Sequence, residues 1–227
     1  MPLRCQTGTG GVTFHVINRG VRRLTLFQHD GDYLAWLRAF GEAQRRVPID
    51  LFAYCLMPNH FHMVLRPRDD GDLAEFMRLG TVTHSKRWHE CRGSKGTGAV
   101  YQGRYRAFPI GSDRYFLNAC RYVEANPLRA SLVPRAEDWT WSSLSIRRKN
   151  FNVLTLAEWP ILPPAGWVNL VNAACSQADL DALRRSVRRS APFGPDDWAH
   201  ATATALGLQQ AFRAPGRPKK TTSGVVS

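Results

Sequence analysis

The sequence lacks any apolar run long enough to cross a bilayer, and its opening, Met1-Pro2-Leu3-Arg4, is not that of a signal peptide. It has only five cysteines, which are scattered and form no Cys-x-x-Cys pair. This pattern predicts neither a disulfide framework nor a zinc ribbon, and it fits a reducing cytoplasm. No internal repeat is visible, so a repeat architecture is not indicated.

Acidic residues are also few. The 227 residues include 18 Asp and Glu against 31 Lys and Arg, which gives a formal charge of +13. Arginine outnumbers lysine, and the planar fork of a guanidinium suits phosphate groups. A chain of this kind most often meets nucleic acid, with an anionic membrane surface as the lesser alternative.

Hydrophobic periodicity predicts strand, helix, strand, strand, helix, strand, helix over residues 1–145. This order indicates an α+β fold, with a small antiparallel sheet and helices packed on one or both of its faces. Residues 146–212 are interpreted as a basic helical extension and a candidate accessory DNA-binding unit. Residues 213–227 are interpreted as a disordered basic tail. The predicted strands cover 12–18, 50–56, 61–66 and 100–110, and the predicted helices cover 30–47, 72–91, 112–125, 176–189 and 195–212.

Two histidines one residue apart begin the third predicted strand, within Pro-Asn-His-Phe-His. Because side chains alternate along a strand, His60 and His62 share one face while Phe61 points into the core. Two imidazoles on one face suit a shared metal ion, although two polar residues on an outer face are the alternative. The preceding turn at Pro58 favours the metal site and predicts that the pair starts a strand at a sheet edge. His15, on the first strand, is interpreted as structural or DNA-facing.

A tyrosine and an asparagine share one face of the last helix predicted before residue 145. Tyr122 and Asn126 are four residues apart, which is about one helical turn. A helical tyrosine usually packs in the core, and an asparagine at a helix end usually serves as a cap. Asn126 could instead offer its carboxamide oxygen to an ion held by the histidines. Mixed nitrogen and oxygen ligands suit Mn²⁺ at least as well as Mg²⁺.

Three segments together resemble the single-tyrosine HUH transposases, and most closely the REP-associated tyrosine transposases. They occur in the family's order and are His-Val-Ile-Asn-Arg-Gly at 15–20, Tyr-Cys-Leu-Met-Pro-Asn-His-Phe-His at 54–62, and Arg-Tyr-Val-Glu-Ala-Asn-Pro-Leu-Arg-Ala at 121–130. The resemblance covers about residues 10–145. It implies that residues 1–145 form an HUH nuclease domain with a ferredoxin-like or RRM-like core.

The resemblance also implies a reaction. A transposase of this type cleaves and rejoins single-stranded DNA at hairpin sequences through a 5′-phosphotyrosine, with a divalent ion, Mg²⁺ or Mn²⁺. Carried over to this chain, His60 and His62 bind the metal, Asn126 is the third ligand and Tyr122 is the nucleophile. The alternatives are a catalytically inactive, domesticated DNA-hairpin-binding protein and a protein that acts on RNA hairpins. The expected location is the cytoplasm, in association with the nucleoid, and monomer or homodimer is left open.

Basic residues spread over both halves of the chain are the candidate DNA contacts, with a solvated charged surface as the alternative. The candidates are Arg19, Arg22, Arg23, Arg104, Arg106, Arg129 and Arg217. Arg217 lies in Pro-Gly-Arg-Pro-Lys-Lys, which resembles an AT-hook but has Ala214-Pro215 where an arginine is expected. A non-specific basic tail is the alternative there. Tyr101 and Tyr105 could stack bases, although core packing is the commoner role of such residues.

Overall fold

The computed structural model describes residues 9–149 and 153–213. The strands and helices are, in chain order, β1 Phe14–Arg19, α1 Asp30–Arg46, β2 Ile49–Met57, β3 His60–Pro67, α2 Asp72–Cys91, β4 Arg106–Pro109, α3 Arg114–Glu124, α4 Asn126–Arg129, α5 Ser143–Lys149, α6 Trp167–Asn172, α7 Gln177–Arg189 and α8 Asp196–Ala205. Within these ranges, every helix is too short or too polar to span a bilayer. Arg217, the AT-hook-like segment and residues 214–227 of the predicted tail lie outside the described residues.

The four strands form one antiparallel sheet in the order β2-β3-β1-β4. With the helices between them, this is the ferredoxin-like βαββαβ arrangement. The predicted α+β fold with a small antiparallel sheet is therefore confirmed. The predicted position of the histidine pair at a sheet edge is wrong, because β3 lies between β2 and β1 and pairs with both. The last predicted strand is shorter than expected: β4 covers only Arg106–Pro109.

Helices α1 and α2 cover one face of the sheet. Apolar residues of α1 recur at helical spacing and bury their side chains, so that Trp36 and Phe40 stack with ring centroids 4.0 Å apart. Phe61 of β3 meets Trp36 from the sheet, at a centroid distance of 4.8 Å. Gly80 of α2 permits this packing, since a Cβ at that position would lie 2.5 Å from the Phe40 ring. This face is thus a dense aromatic core.

Helix α3 covers the other face, which is the face that bears His60 and His62. Its buried apolar residues follow the spacing of one helical stripe and are Phe116, Ala119, Cys120 and Val123. They meet Phe52 of β2 and Val64 of β3 in a second apolar cluster. Because Val123 points into this cluster, the neighbouring Tyr122 lies at its margin, beside β1 and β3.

Residues 157–193 include the side chains that pack on the same side of the sheet as α3, whereas Leu154 is buried on the side of α1. The Trp159 indole donates a hydrogen bond to the Phe52 carbonyl at 3.1 Å. Leu183 of α7 and the later Phe193 are buried in the second cluster. The backbone N–H of Phe193 also donates a hydrogen bond to the Pro109 carbonyl of β4 at 2.8 Å. This part of the chain therefore packs beside α3, the helix that carries Tyr122.

Candidate active site

The two histidines of β3 face the same way, as the strand periodicity predicts. The ring centroids of His60 and His62 are 5.0 Å apart. Nδ1 of His60 lies 2.7 Å from the Asn59 carboxamide oxygen, and Nδ1 of His62 lies 2.9 Å from Nε2 of His15. Each imidazole therefore has one nitrogen held by a neighbour, which orients the ring and leaves its Nε2 for another ligand.

His15 is the partner that sequence reasoning did not assign to the site. It is fully buried on β1, and the sheet register sets Ile17 of the same strand opposite His62. His15 is consequently a diagonal neighbour of His62 on the same face, close enough for their side chains to meet. Only the pairing of β1 with β3 could have revealed this contact, because the two histidines are 47 residues apart in the chain.

The histidines are held in their neutral form. Burial, followed by the charge of Arg129, lowers the pKa of His15 from 6.5 to about 3. Burial, followed by the charge of Arg19, lowers the pKa of His60 to about 4. The pKa of His62 is also well below its usual value, through burial first and then through its histidine neighbours. A neutral imidazole keeps a lone pair, so these rings suit a metal ion at neutral pH.

These depressed pKa values predict that the metal-free protein is unstable in mild acid. His84, buried on α2, behaves similarly: burial lowers its pKa from 6.5 to about 3. Since the folded pKa lies below the unfolded one, stability is full above about pH 6.5 and is lost as the pH falls toward 4. In that window, each histidine that stays neutral in the folded protein lowers the free energy of unfolding by up to about 1.4 kcal/mol for each pH unit of acidification.

Thermal melting at pH 7.5, 6, 5 and 4.5 measures this loss. His84→Gln, which leaves the candidate site intact, is expected to flatten the decline. A melting temperature that stays constant from pH 7.5 to 4.5 in the wild type would contradict the assignment of neutral buried histidines.

Tyr122 lies against the histidines. Its ring centroid is 6.0 Å from those of both His15 and His62. The Arg129 guanidinium carbon stands 4.0 Å from the centroid of the Tyr122 ring, and Nη2 of Arg129 donates to the Tyr122 carbonyl at 2.7 Å. Nη1 of the same guanidinium is buried and has no hydrogen-bond partner among the described residues. One site thus brings together the phenol of Tyr122, the neutral imidazoles of His15 and His62, and the buried guanidinium of Arg129, which keeps one unused donor.

Asn126 lies just beyond the helix that carries Tyr122. Helix α3 ends at Glu124, and Asn126 begins the short helix α4, with Pro127 in its first turn. The Asn126 carboxamide nitrogen is buried without a hydrogen-bond partner in the described part of the chain. That nitrogen is a hydrogen-bond donor and cannot coordinate a cation, so the role of Asn126 as the third metal ligand stays a prediction.

Glu124 is engaged away from Tyr122. Ser143 and Trp167 donate hydrogen bonds to its two carboxylate oxygens at 2.5 and 2.7 Å. Burial raises the pKa of this carboxyl, while the hydrogen bonds from Ser143 and Trp167 and the charge of Arg147 oppose the shift. Glu124 therefore ties α3 to α5 and α6 instead of serving as a base beside the phenol.

The candidate DNA-binding arginines fall into separate groups. Arg19 sits opposite His60 in the sheet register, next to the site. Arg22 and Arg23 are exposed in a tight turn with left-handed backbone, and Arg104 is exposed in the segment before β4. Arg106 differs, because its guanidinium donates to the carbonyls of Val187 and Arg188 at the end of α7 and to the Ser190 hydroxyl. These bonds hold α7 against β4.

The donor set can be tested for a metal ion. The described residues contain no group of three His, Cys, Asp or Glu side chains that could hold one. The fit therefore rests on two neutral, oriented imidazoles and on oxygen ligands from elsewhere, such as an amide or a phosphate. With such oxygen ligands added, the two imidazoles fit a divalent ion.

Several known proteins and solved structures are similar to this chain. A REP-associated tyrosine transposase of Haemophilus influenzae is 26% identical to this chain over 121 residues, which is 49% of this chain and 69% of that protein. A solved structure of a REP-associated tyrosine transposase bound to a REP hairpin is 19% identical and has a TM-score of 0.49, covering 70% of this chain and 92% of that one. A crystal structure from Deinococcus radiodurans, described as that of a transposase, is 12% identical, with a TM-score of 0.37, and covers 53% of this chain and 85% of that one.

The sheet and its histidine-bearing face fall within a DNA transposase domain. The family model described as "Transposase IS200 like" matches residues 9–126, which is more than half of the 227 residues. The chain belongs to the IS200-like transposase family. The resemblance to transposases found in the three sequence motifs is thereby confirmed, and the family is one of enzymes that cut DNA.

Proposed function

We propose that the chain cleaves and rejoins single-stranded DNA at hairpin sequences of the REP type, through a 5′-phosphotyrosine on Tyr122. The observation that carries the proposal is the convergence of Tyr122 with His62 and Arg129 in one site. The hairpin substrate rests on the likeness to REP-associated tyrosine transposases, one of which is described as bound to a REP hairpin. Such a reaction takes place where the cell's DNA lies, in the cytoplasm.

His60 and His62 would hold a divalent ion, Mg²⁺ or Mn²⁺, through their Nε2 atoms, with Asn126 as the proposed third ligand. When bound, the ion supplies positive charge that polarises the scissile phosphate. His15 and Asn59 act behind them, because each holds the Nδ1 of one ligand and so fixes its ring.

The cut exchanges one phosphate ester for another. The Tyr122 oxygen forms a bond to phosphorus, and the bond from phosphorus to the 3′ oxygen breaks. The phenol proton is lost to solvent and the leaving oxygen gains one, so a free 3′-hydroxyl results. Because the phosphotyrosine keeps the ester energy, attack by another 3′-hydroxyl rejoins the strand without ATP.

Arg129 is placed to hold the nucleophile and to meet the substrate. Its guanidinium covers the Tyr122 ring, and partial burial makes its charge act strongly on a nearby anion. Its Nη1, which has no hydrogen-bond partner among the described residues, is a donor that a phosphate oxygen of the DNA can satisfy. Arg129 is thus proposed both to position Tyr122 and to contact the scissile phosphate.

Replacement of Arg129 by Gln is expected to slow formation of the covalent adduct by about 10- to 100-fold, in the range of a lost charge-stabilising donor. Arg129→Lys should recover part of the rate, since it keeps the charge without the fork. Single-turnover rates measure the effect, and thermal melting checks that each variant folds. An equal loss of rate in both variants, together with a lowered melting temperature, would assign Arg129 to folding alone.

The test of the function uses the wild-type chain. It is incubated with Mn²⁺ or Mg²⁺ and a single-stranded DNA that carries a REP-type hairpin and a label 3′ of the cut. A labelled protein band on a denaturing gel is expected, and it should vanish with EDTA. Tight DNA binding with no adduct under either metal would favour a domesticated hairpin-binding protein. Preference for a matched RNA hairpin would point to an RNA-directed activity.

A further inference from the structure

Helix α7 carries a stripe of arginines on the side that faces solvent. Leu183 and Ser186 are buried and mark the inner face of the helix. Arg184, Arg185 and Arg188 are exposed, and residues three and four apart on a helix are neighbours on its surface. These three residues form the arginine stripe, which points away from the core.

The positive charge of the arginine stripe is largely unpaired. Nη1 of Arg184 lies 3.8 Å from Oδ1 of Asp181, and both side chains are more than half exposed. An exposed ion pair of this length holds its partners only weakly. Within residues 9–149 and 153–213, Arg185 and Arg188 make no ion pair. The stripe is therefore available to a polyanion.

Hydrogen bonds fix α7 at both of its ends. At the carboxyl end, the Arg106 guanidinium of β4 donates to the Arg188 carbonyl at 2.9 Å. A cation in that position also complements the helix dipole. Just before the amino end, Nη2 of Arg121 on α3 donates to the Ala173 carbonyl at 2.8 Å. The helix is thus tied to the sheet and to α3, so the arginine stripe has a fixed place relative to Tyr122.

The arginine stripe begins beside the candidate active site. Leu180 and Leu183 of α7 line a small cavity together with Tyr122. Burial lowers the pKa of Arg129, and the charge of Arg184 is a smaller cause in the same direction, so the two guanidinium groups are near each other. Positive charge therefore continues from the candidate site onto the exposed side of α7.

The composition and shape of the stripe suit the backbone of a DNA duplex. Helix α7 contains no aromatic residue, so it offers guanidinium forks for phosphates and no ring on which an unpaired base can stack. Four residues rise about 6 Å along a helix, which is close to the rise of about two base pairs, so Arg184 and Arg188 can meet nearby phosphates. A straight, fixed row of cations matches the regular phosphates of a duplex better than those of a flexible single strand.

We propose that the arginine stripe binds the phosphate backbone of the double-stranded stem of the hairpin whose strand is cut at Tyr122. The inference rests on the proposed function and deepens it, because it assigns the stem a surface of its own on α7. Contact there holds the stem beside the site while the unpaired strand passes the histidines. It also makes affinity depend on stem length, since a short stem ends before it reaches the stripe.

The test measures binding by the full chain carrying Tyr122→Phe, in EDTA, so that no cleavage intervenes. The probes are labelled DNAs that share one unpaired flank: a hairpin with a stem of about one helical turn, roughly 10 base pairs, a hairpin with about half that stem, and the flank alone. The variant is Arg185→Gln/Arg188→Gln. The matched control is Arg45→Gln/Arg46→Gln, which removes the same charge from exposed positions in the last turn of α1, on the other face of the sheet. Equal melting temperatures confirm that both variants fold.

Arg185→Gln/Arg188→Gln is expected to weaken binding of the long-stemmed hairpin by roughly 10-fold and to reduce the slope of log affinity against log salt by about two phosphate contacts. Its affinity for the short-stemmed hairpin and for the flank alone should equal that of the control variant. An affinity for the long stem equal to the control's, or an equal loss on all three probes, would overturn the proposal. Because no chemistry is involved, failure of the adduct assay would overturn the proposed function and leave this binding result standing.

Discussion

Tyr122→Phe is expected to abolish the covalent protein–DNA adduct, lowering its rate by at least about 10³-fold, as removal of a nucleophile does in other covalent enzymes. The substitution removes only the hydroxyl. A phenylalanine ring can still lie under the Arg129 guanidinium and beside the rings of His15 and His62. Folding and DNA affinity should therefore stay within a few-fold of the wild type. Adduct yield on a denaturing gel and affinity by fluorescence anisotropy measure the two quantities separately.

Tyr115→Phe is the control for that experiment. Tyr115 lies on the same helix, but its ring meets Phe193, at a centroid distance of 5.1 Å, and the Arg114 guanidinium. This variant should form the adduct at the wild-type rate. If Tyr122→Phe still formed the adduct while Tyr115→Phe did not, the nucleophile would be misassigned and the cluster around Tyr122 would be a packing feature.

Local patterns in the sequence anticipated the parts of the fold that depend on near neighbours. The predicted bounds of α2, 72–91, agree with the structure, because an amphipathic stripe and a glycine before Asp72 are local signals. The shared face of His60 and His62 follows from strand periodicity alone. The interior position of β3 could not be predicted in the same way. It depends on β1 returning to pair with β3 across 47 residues, which also brings His15 to His62.

The number of basic residues in the sequence also does not show which arginines already make contacts within the protein. Arg106 and Arg129 were equivalent as basic residues in the sequence, yet one caps the end of α7 and the other covers the Tyr122 ring. Spacing was similarly incomplete for Asn126, since α3 ends at Glu124 and Asn126 begins a separate short helix. In each case the missing information was a partner distant in sequence or a break in the backbone. Those features decide what a side chain can do in the site.

His62→Ala should remove both metal binding and catalysis. His62 is the central ring of the cluster, held by His15 on one side and 5.0 Å from the centroid of His60 on the other. With one imidazole left, the affinity for Mn²⁺ should fall by at least about 10²-fold, more than the loss of an outer-shell partner causes. Adduct formation at a fixed metal concentration should fall by a similar factor or more, since the phosphate loses its charge partner. Calorimetric titration of the DNA-free protein with Mn²⁺ measures the first effect without any turnover.

The matched control is His200→Ala, because His200 is exposed on α8 and stacks only on Phe212 among the described rings. Its Mn²⁺ affinity and adduct rate should equal those of the wild type. Wild-type affinity in His62→Ala would show that the ion binds elsewhere, and the pair on β3 would then be a buried polar contact of the sheet. A joint loss of affinity and adduct, with Tyr122→Phe losing the adduct alone, would separate the residue that binds the ion from the residue that attacks. That separation is what a nucleophile acting beside a metal site requires, and no purely structural role of either residue would produce it.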